Sequence, residues 1–166
     1  MALIIFNSKI EIHLITLRQA ISRDLNTLKA FEQLLIKFEK TLTPTLKNSH
    51  INYYDLEAYI KNPEVSVVVA VENEELIASG YGLIQKNLPY KNPDKYILLG
   101  FMYVIPAFRG MGINKKVIEY LIEWGNSKGI NEFKLDVYSQ NTSAIKAYQK
   151  LGFSSELFNM RLNTDK

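Results

Sequence analysis

The chain has 166 residues, 47% of them hydrophobic and 22% charged, with a formal charge of +3. That length suits one domain, residues 1–166, and the apolar content excludes wholesale disorder. With no cysteine and only two histidines, His13 and His50, a disulfide scaffold, a thiolate nucleophile and a Cys-ligated zinc site are excluded, and no metal is expected.

Residues 1–9 carry no basic segment ahead of their short apolar run, so no signal peptide is expected. No stretch approaches the ~18 apolar residues of a membrane span, and a cytoplasmic protein is the default. Residues 10–17 alternate loosely, with Ile10, Ile12 and Leu14 on one side, and read as a strand. Asp24 stands where its carboxylate can cap a helix. Ile21, Leu25, Leu28, Phe31, Leu35 and Phe38 then recur at helical spacing, so that helix is expected to reach about Lys40 before Thr43-Pro44 breaks it. A shorter helix over 55–61 ends ahead of Pro63.

The period then changes. Residues 65–72 are Val-rich, 76–84 form another apolar run, and Asn73-Glu74-Glu75 between them predicts a hairpin. After a polar loop with Pro89 and Pro93, residues 96–105 are nearly all apolar, as in a strand covered on both faces, and Pro106 ends it. Ile113, Val117, Leu121 and Trp124 make the buried stripe of a long helix closed by Lys128-Gly129. Phe133, Leu135 and Val137 alternate with polar neighbours as a half-buried strand. A helix over 142–151 and a closing strand over 157–162 complete an α+β order, β-α-α-β-β-β-α-β-α-β.

Chemistry concentrates at Arg109-Gly110-Met111-Gly112-Ile113-Asn114, between a strand and a helix. Two glycines allow a tight loop, and a helix start leaves unpaired N–H groups at a positive pole, which suits a diphosphate. Between Gln85 and Lys116 lie Lys86, Lys91, Lys95, Arg109, Lys115 and Lys116 against a single acid, Asp94, a basic stretch that could meet an anionic ligand. The loop is neither the GxxxxGK[S/T] phosphate loop nor the three-glycine dinucleotide fingerprint.

Taken together, Val104-Ile105-Pro106-Ala107-Phe108-Arg109-Gly110-Met111-Gly112-Ile113 and Asn141-x-x-Ala144-x-x-x-Tyr148-x-Lys150-x-Gly152-Phe153 resemble the GNAT superfamily of N-acetyltransferases. The first segment is similar to the family's acetyl-CoA motif, Gln/Arg-x-x-Gly-x-Gly/Ala, except that its last position is Asn114. The resemblance is close over residues 96–153; before that, only element order agrees. It implies an α+β fold, a GNAT-type twisted mixed β-sheet with helices on both faces and two splayed central parallel strands, here residues 96–105 and 132–138. It also implies acetyl-CoA as cosubstrate, CoA as product and a primary amine as acceptor, whether small molecule, polyamine or peptide. The pantetheine arm is expected along the backbone of Met102, Tyr103 and Val104. The diphosphate is expected on the N–H groups of Arg109, Gly110, Met111, Gly112, Ile113 and Asn114. Asn141 is expected to touch pantetheine, and Tyr148 to lie by the sulfur as general acid.

Where many family members carry an acid on the first splayed strand, this chain has Gly100, Phe101 and Met102. Asp136, five residues before Asn141, is the substitute for a general base, ahead of Glu72 and Tyr81, while His13 reads as structural. Tyr53, Tyr54 and Tyr90 are candidates for an aromatic acceptor pocket. Two other classes compete. One is a non-catalytic acyl-CoA-binding sensor or docking module, against which Asn141 and Tyr148 argue. The other is a nucleic-acid binder using residues 90–96, which lack a stacking or groove-reading motif. Neither nucleic acid nor a membrane is expected as a partner, and the resemblance is compatible with a homodimer.

Overall fold

A computed structural model of the chain describes residues 14–165. Its strands are β1 Thr16–Gln19, β2 Val65–Glu72, β3 Glu75–Lys86, β4 Lys95–Val104 and β5 Phe133–Leu135. Its helices are α1 Leu25–Glu39, α2 Leu56–Lys61, α3 Ile113–Ser127 and α4 Thr142–Lys150. The sheet order is β1-β2-β3-β4-β5. The first four strands pair antiparallel, and β5 joins β4 parallel after the α3 crossover that such a pair requires.

Alternation along β2 shows why helices cover both faces. Val68 and Ala70 enter one core with Val117, Ile118 and Leu121 of α3. Val67 and Val69 enter the other with Leu28 and Phe31 of α1 and Leu56 of α2. Successive side chains of a strand point to opposite sides, so an uninterrupted apolar run serves two cores. The β2–β3 hairpin turns on Asn73 and Glu74, both in the left-handed region at φ 47 and 68, the backbone of a tight hairpin turn.

Four expectations change. The first strand begins at Thr16; Leu14 is exposed, and Ile10, Ile12 and His13 lie outside the described residues. Asp24 does not cap α1. Its buried carboxylate accepts from Arg18 Nη1 at 2.6 Å and Nη2 at 2.9 Å, and from the Ile21 N–H at 2.8 Å. A guanidinium within reach outcompetes neutral helix amides for a carboxylate.

The second parallel strand is three residues long, because 136–138 leave the ladder. Residues 157–162 form no strand: Leu157, Phe158, Met160 and Leu162 stand 79–92% exposed. An alternating segment becomes a strand only against a ladder, and three-residue β5 offers little of one.

Candidate active site

β4 and β5 pair only at Ile97↔Phe133, Leu98↔Lys134 and Leu99↔Leu135, yet β4 runs on to Val104. The reason lies on β4's other edge. Ser79 pairs with Tyr103 but Tyr81 pairs with Gly100, so β4 holds one extra residue opposite Gly80. At this bulge Phe101 takes φ 56, a left-handed conformation that costs an aromatic residue. A bulge bends and over-twists its strand, which turns the end of β4 away from β5.

Two contacts hold the distortion. The Ser79 hydroxyl donates to the Phe101 carbonyl at 3.2 Å. The Tyr81 ring lies across Gly100, where a Cβ would come within 2.6 Å of it. Met102, Tyr103 and Val104 are therefore the β4 residues along the opening. The Tyr103 side chain itself is buried, its ring 4.8 Å from that of Phe31.

The glycine loop follows directly. Gly110 and Gly112 are left-handed at φ 78 and 76, and Gly112 caps α3 without a side chain. A Cβ on either would meet nothing within 4 Å, so the loop faces open space. Helix geometry leaves the first-turn N–H groups of Ile113, Asn114 and Lys115 without upstream carbonyls. Arg109, though exposed, engages the chain's own backbone. Its N–H donates to the Pro106 carbonyl at 3.2 Å, its Nε to the Val104 carbonyl at 3.0 Å, and its guanidinium sits 5.9 Å from the Tyr103 ring centre. Arg109 thus ties the loop to the end of β4. Met111 is exposed, and the Ile113 side chain is buried under α3.

On α4, Asn141 Oδ1 accepts from the Ala144 N–H at 3.3 Å, which caps the helix and leaves the Asn141 amide NH2 free to donate. Tyr148 packs against the α3 core and edge-on to Phe153 at 6.0 Å. Burial raises the pKa of its hydroxyl, the charge of Glu39 raises it further, and the nearby Asn114 side chain opposes both. The position where the chain departs from the motif is thus the one beside Tyr148.

Asp136 is exposed just past β5. Burial, then Tyr59, then the Asp136 charge push Tyr81 up to about 12, so this carboxylate acts on the same region. Glu72 is buried at the hairpin end of β2.

Glu39 and Tyr138, which carry no motif in the sequence, both act on Tyr53. Burial raises the Glu39 carboxyl, with Tyr53 opposing. Tyr53 and Tyr54 do gather as expected. Tyr54 lies 5.2 Å from Tyr81 and 5.4 Å from Phe101, while Tyr90 is exposed and stands apart. The buried carboxylate of Glu32 pins this segment, accepting from the N–H groups of Tyr53 at 2.7 Å and Tyr54 at 2.9 Å. A cleft of about 690 Å³ between α1 and residues 50–57 shares only Tyr53 and Tyr54 with this region. Among the described residues no helix is long and apolar enough to cross a membrane, and no three acids or histidines cluster as metal ligands.

A model of the acetyltransferase (GNAT) family matches residues 30–153. Thialysine N-epsilon-acetyltransferase of Mus musculus is 29% identical over 145 residues, covering 82% of each protein. Aminoglycoside N(6')-acetyltransferase type 1 of Salmonella typhimurium is 37% identical over 57 residues, 34% of this chain. The chain spans only 39% of that relative's length. Among solved structures, an aminoglycoside N-acetyltransferase in complex with CoA superposes with a TM-score of 0.71 at 20% identity, covering 91% of this chain and 100% of that one, a likeness of fold.

Proposed function

Because the chain belongs to the acetyltransferase (GNAT) family, we propose that it transfers an acetyl group from acetyl-CoA directly to a primary amine of a small cationic molecule. One observation carries this reading: β4 parts from β5 after Leu99, and the loop holding Gly110 and Gly112 lies at the end of the same strand. Bare left-handed glycines facing open space at a helix start fit a diphosphate. The names of the relatives, a thialysine and an aminoglycoside acetyltransferase, support a small amine over a protein acceptor. We read the chain as a single domain acting in the cytoplasm, where the CoA pool lies.

When bound, acetyl-CoA supplies an activated thioester. Gly110, Met111, Gly112, Ile113 and Asn114 hold its diphosphate through their N–H groups, with Arg109 fixing the loop. The main chain of Met102, Tyr103 and Val104, paired with β3 but open on its β5 side, pairs with pantetheine, and the Asn141 amide adds a donor. A lysine-like amine has a pKa of about 10.4, so presenting it neutral at pH 7 costs about 4.6 kcal/mol. Asp136 takes that proton directly or through water. Tyr148, protonated because burial disfavours its phenolate, gives a proton to the leaving thiolate.

Calorimetry with acetyl-CoA, followed by an amine panel read by CoA release and mass spectrometry, tests this. Acetylated product together with a kcat for Tyr148→Phe lowered roughly 10²–10⁴-fold supports it. Binding without product from any amine favours a non-catalytic sensor, and no heat with acetyl-CoA or CoA removes both readings.

Assembly is a second proposal. The exposed side chains of Leu157, Phe158, Met160 and Leu162, together with a β5 that is paired on one side only, favour a homodimer in which each chain lays residues 157–162 along the other's β5.

A further inference from the structure

β4 and β5 last pair at Leu99↔Leu135, so Gly100 and Asp136 are the first residues on the two sides of the opening. The space over Gly100 belongs to Tyr81. A Cβ on Gly100 would come within 2.6 Å of both Cζ and the hydroxyl oxygen of Tyr81, which puts the hydroxyl end of this ring at the vertex. Tyr81 stands on β3, opposite Gly100 in the register. Its ring is held edge-on by Tyr54 and by Tyr59, each at 5.2 Å. A side chain gripped on two sides keeps its polar tip in a fixed place.

That tip has no partner. Tyr81 is only 6% exposed, yet no described residue gives or takes a hydrogen bond at its hydroxyl. Unlike the Tyr53 hydroxyl, it is not sealed from solvent. A tyrosine hydroxyl at the end of a buried ring ordinarily finds a partner, and here the place for one is the vertex itself. On the acetyltransferase reading the diphosphate lies beyond the end of β4. Pantetheine then runs back along Val104, Tyr103 and Met102, and the thioester arrives at Phe101 and Gly100, beside this hydroxyl.

We propose that Tyr81 is a catalytic residue whose hydroxyl donates a hydrogen bond to the acyl oxygen of acetyl-CoA and to the oxyanion formed from it. The assignment rests on the acetyltransferase reading and adds to it the donor that the addition step needs. As the amine nitrogen bonds to the carbonyl carbon, the C=O pair moves onto oxygen. The Tyr81 O–H faces that charge and keeps its proton. Asp136 takes the ammonium proton, the pair returns to re-form C=O, the C–S bond breaks, and the thiolate leaves with a proton from Tyr148. Burial keeps the Tyr81 phenol protonated at neutral pH, so it serves as a donor and not as the base.

Isotope-edited infrared spectroscopy of carbonyl-labelled acetyl-CoA bound to the full chain reads the acyl carbonyl directly and needs no acceptor. In Tyr81→Phe the carbonyl band is expected to move to higher wavenumber than in wild type. Acetyl-CoA affinity should stay within twofold and the melting temperature be held or raised, because the substitution removes only an unpartnered hydroxyl. In the amine panel kcat is expected to fall roughly 10²–10³-fold, the cost of one oxyanion donor. Gly100→Ala gives a second route to the same shift: its methyl displaces the hydroxyl and leaves the tyrosine in the chain. An unmoved band in Tyr81→Phe overturns the assignment, whatever kcat does; should that variant fail to fold, an unmoved band in Gly100→Ala overturns it. A moved band with kcat within twofold of wild type overturns the catalytic role. A wild type that binds no acetyl-CoA instead sinks the acetyltransferase reading from which the assignment follows.

Discussion

The Ser79 hydroxyl donates to the Phe101 carbonyl at 3.2 Å, joining the straight strand β3 to the crest of the β4 bulge. Phe101 holds a left-handed φ of 56 in an otherwise extended strand, and such a conformation persists only where its surroundings impose it. In Ser79→Ala the buried carbonyl loses its donor, at a cost of about 1–3 kcal/mol. The bulge then relaxes toward regular pairing, and the end of β4 swings back toward β5. The expected outcome is a melting temperature lower by several degrees and weaker acetyl-CoA binding by calorimetry. A drop in stability with unchanged acetyl-CoA affinity detaches the bulge from the cofactor site.

Gly112→Ala separates backbone strain from ligand contact. At φ 76 any L-residue pays about 1–2 kcal/mol, yet the added methyl meets no protein atom within 4 Å. Gly129, at the other end of α3, has φ 74 and equally open surroundings. Both variants are expected to lose similar stability. Only Gly112→Ala is expected to lose acetyl-CoA affinity, by tenfold or more, because its methyl stands where the diphosphate must approach. Equal affinity losses in the two variants overturn the placement of the diphosphate.

Much of this architecture is written in local patterns, and the remainder depends on partners distant in sequence. The valine run of β2, the stripe of α3 and the glycine pair before it are legible because period and turn chemistry are properties of neighbouring residues. The short ladder of β5 is not, because the alternation of Phe133, Leu135 and Val137 continues past Leu135 while the pairing stops there. The bulge at Phe101 is equally silent: Gly100 is small to clear the Tyr81 ring, a contact from another strand. Glu39 reads as a routine charge at a helix end. Only the arrival of Tyr53, Tyr138 and Tyr148 from three other segments changes its surroundings. Asp24 reads as a cap because that motif is local; Arg18, on β1, claims it.

That Arg18–Asp24 pair makes an acid-dependent prediction. The hydrogen bond from Arg18 lowers the Asp24 pKa, against the opposing effect of burial, with the Ile21 N–H helping. A carboxyl lowered in the folded state stabilises above its unfolded value of about 3.9, and that stability is lost as pH falls through the folded value. Wild type is therefore expected to lose melting temperature as pH drops from about 5 toward 2, with a shallower dependence in Asp24→Asn. At pH 7 the variant is expected to be less stable by about 1.5–3 kcal/mol, the range for hydrogen bonds to charged groups. Parallel melting curves across this window exclude Asp24 as a source of the acid sensitivity.

The C-terminal segment bears on assembly. Leu157, Phe158, Met160 and Leu162 are each at least 79% exposed, and covering such side chains contributes about 1.5–3 kcal/mol apiece. Four from each of two chains exceed the usual cost of association, about 4–15 kcal/mol, at the lower and middle parts of both ranges. A partner strand on the open edge of β5 also satisfies main-chain groups that the edge leaves unpaired. The expected result is a dimer by sedimentation equilibrium at micromolar concentration, converted to monomer by the double substitution Met160→Lys and Leu162→Lys with CoA affinity retained. Dimer formation is also expected to protect the amides of 157–162 from hydrogen exchange. A monomeric wild type with fast exchange there removes the strand-exchange assembly and leaves the acetyl-CoA site as described.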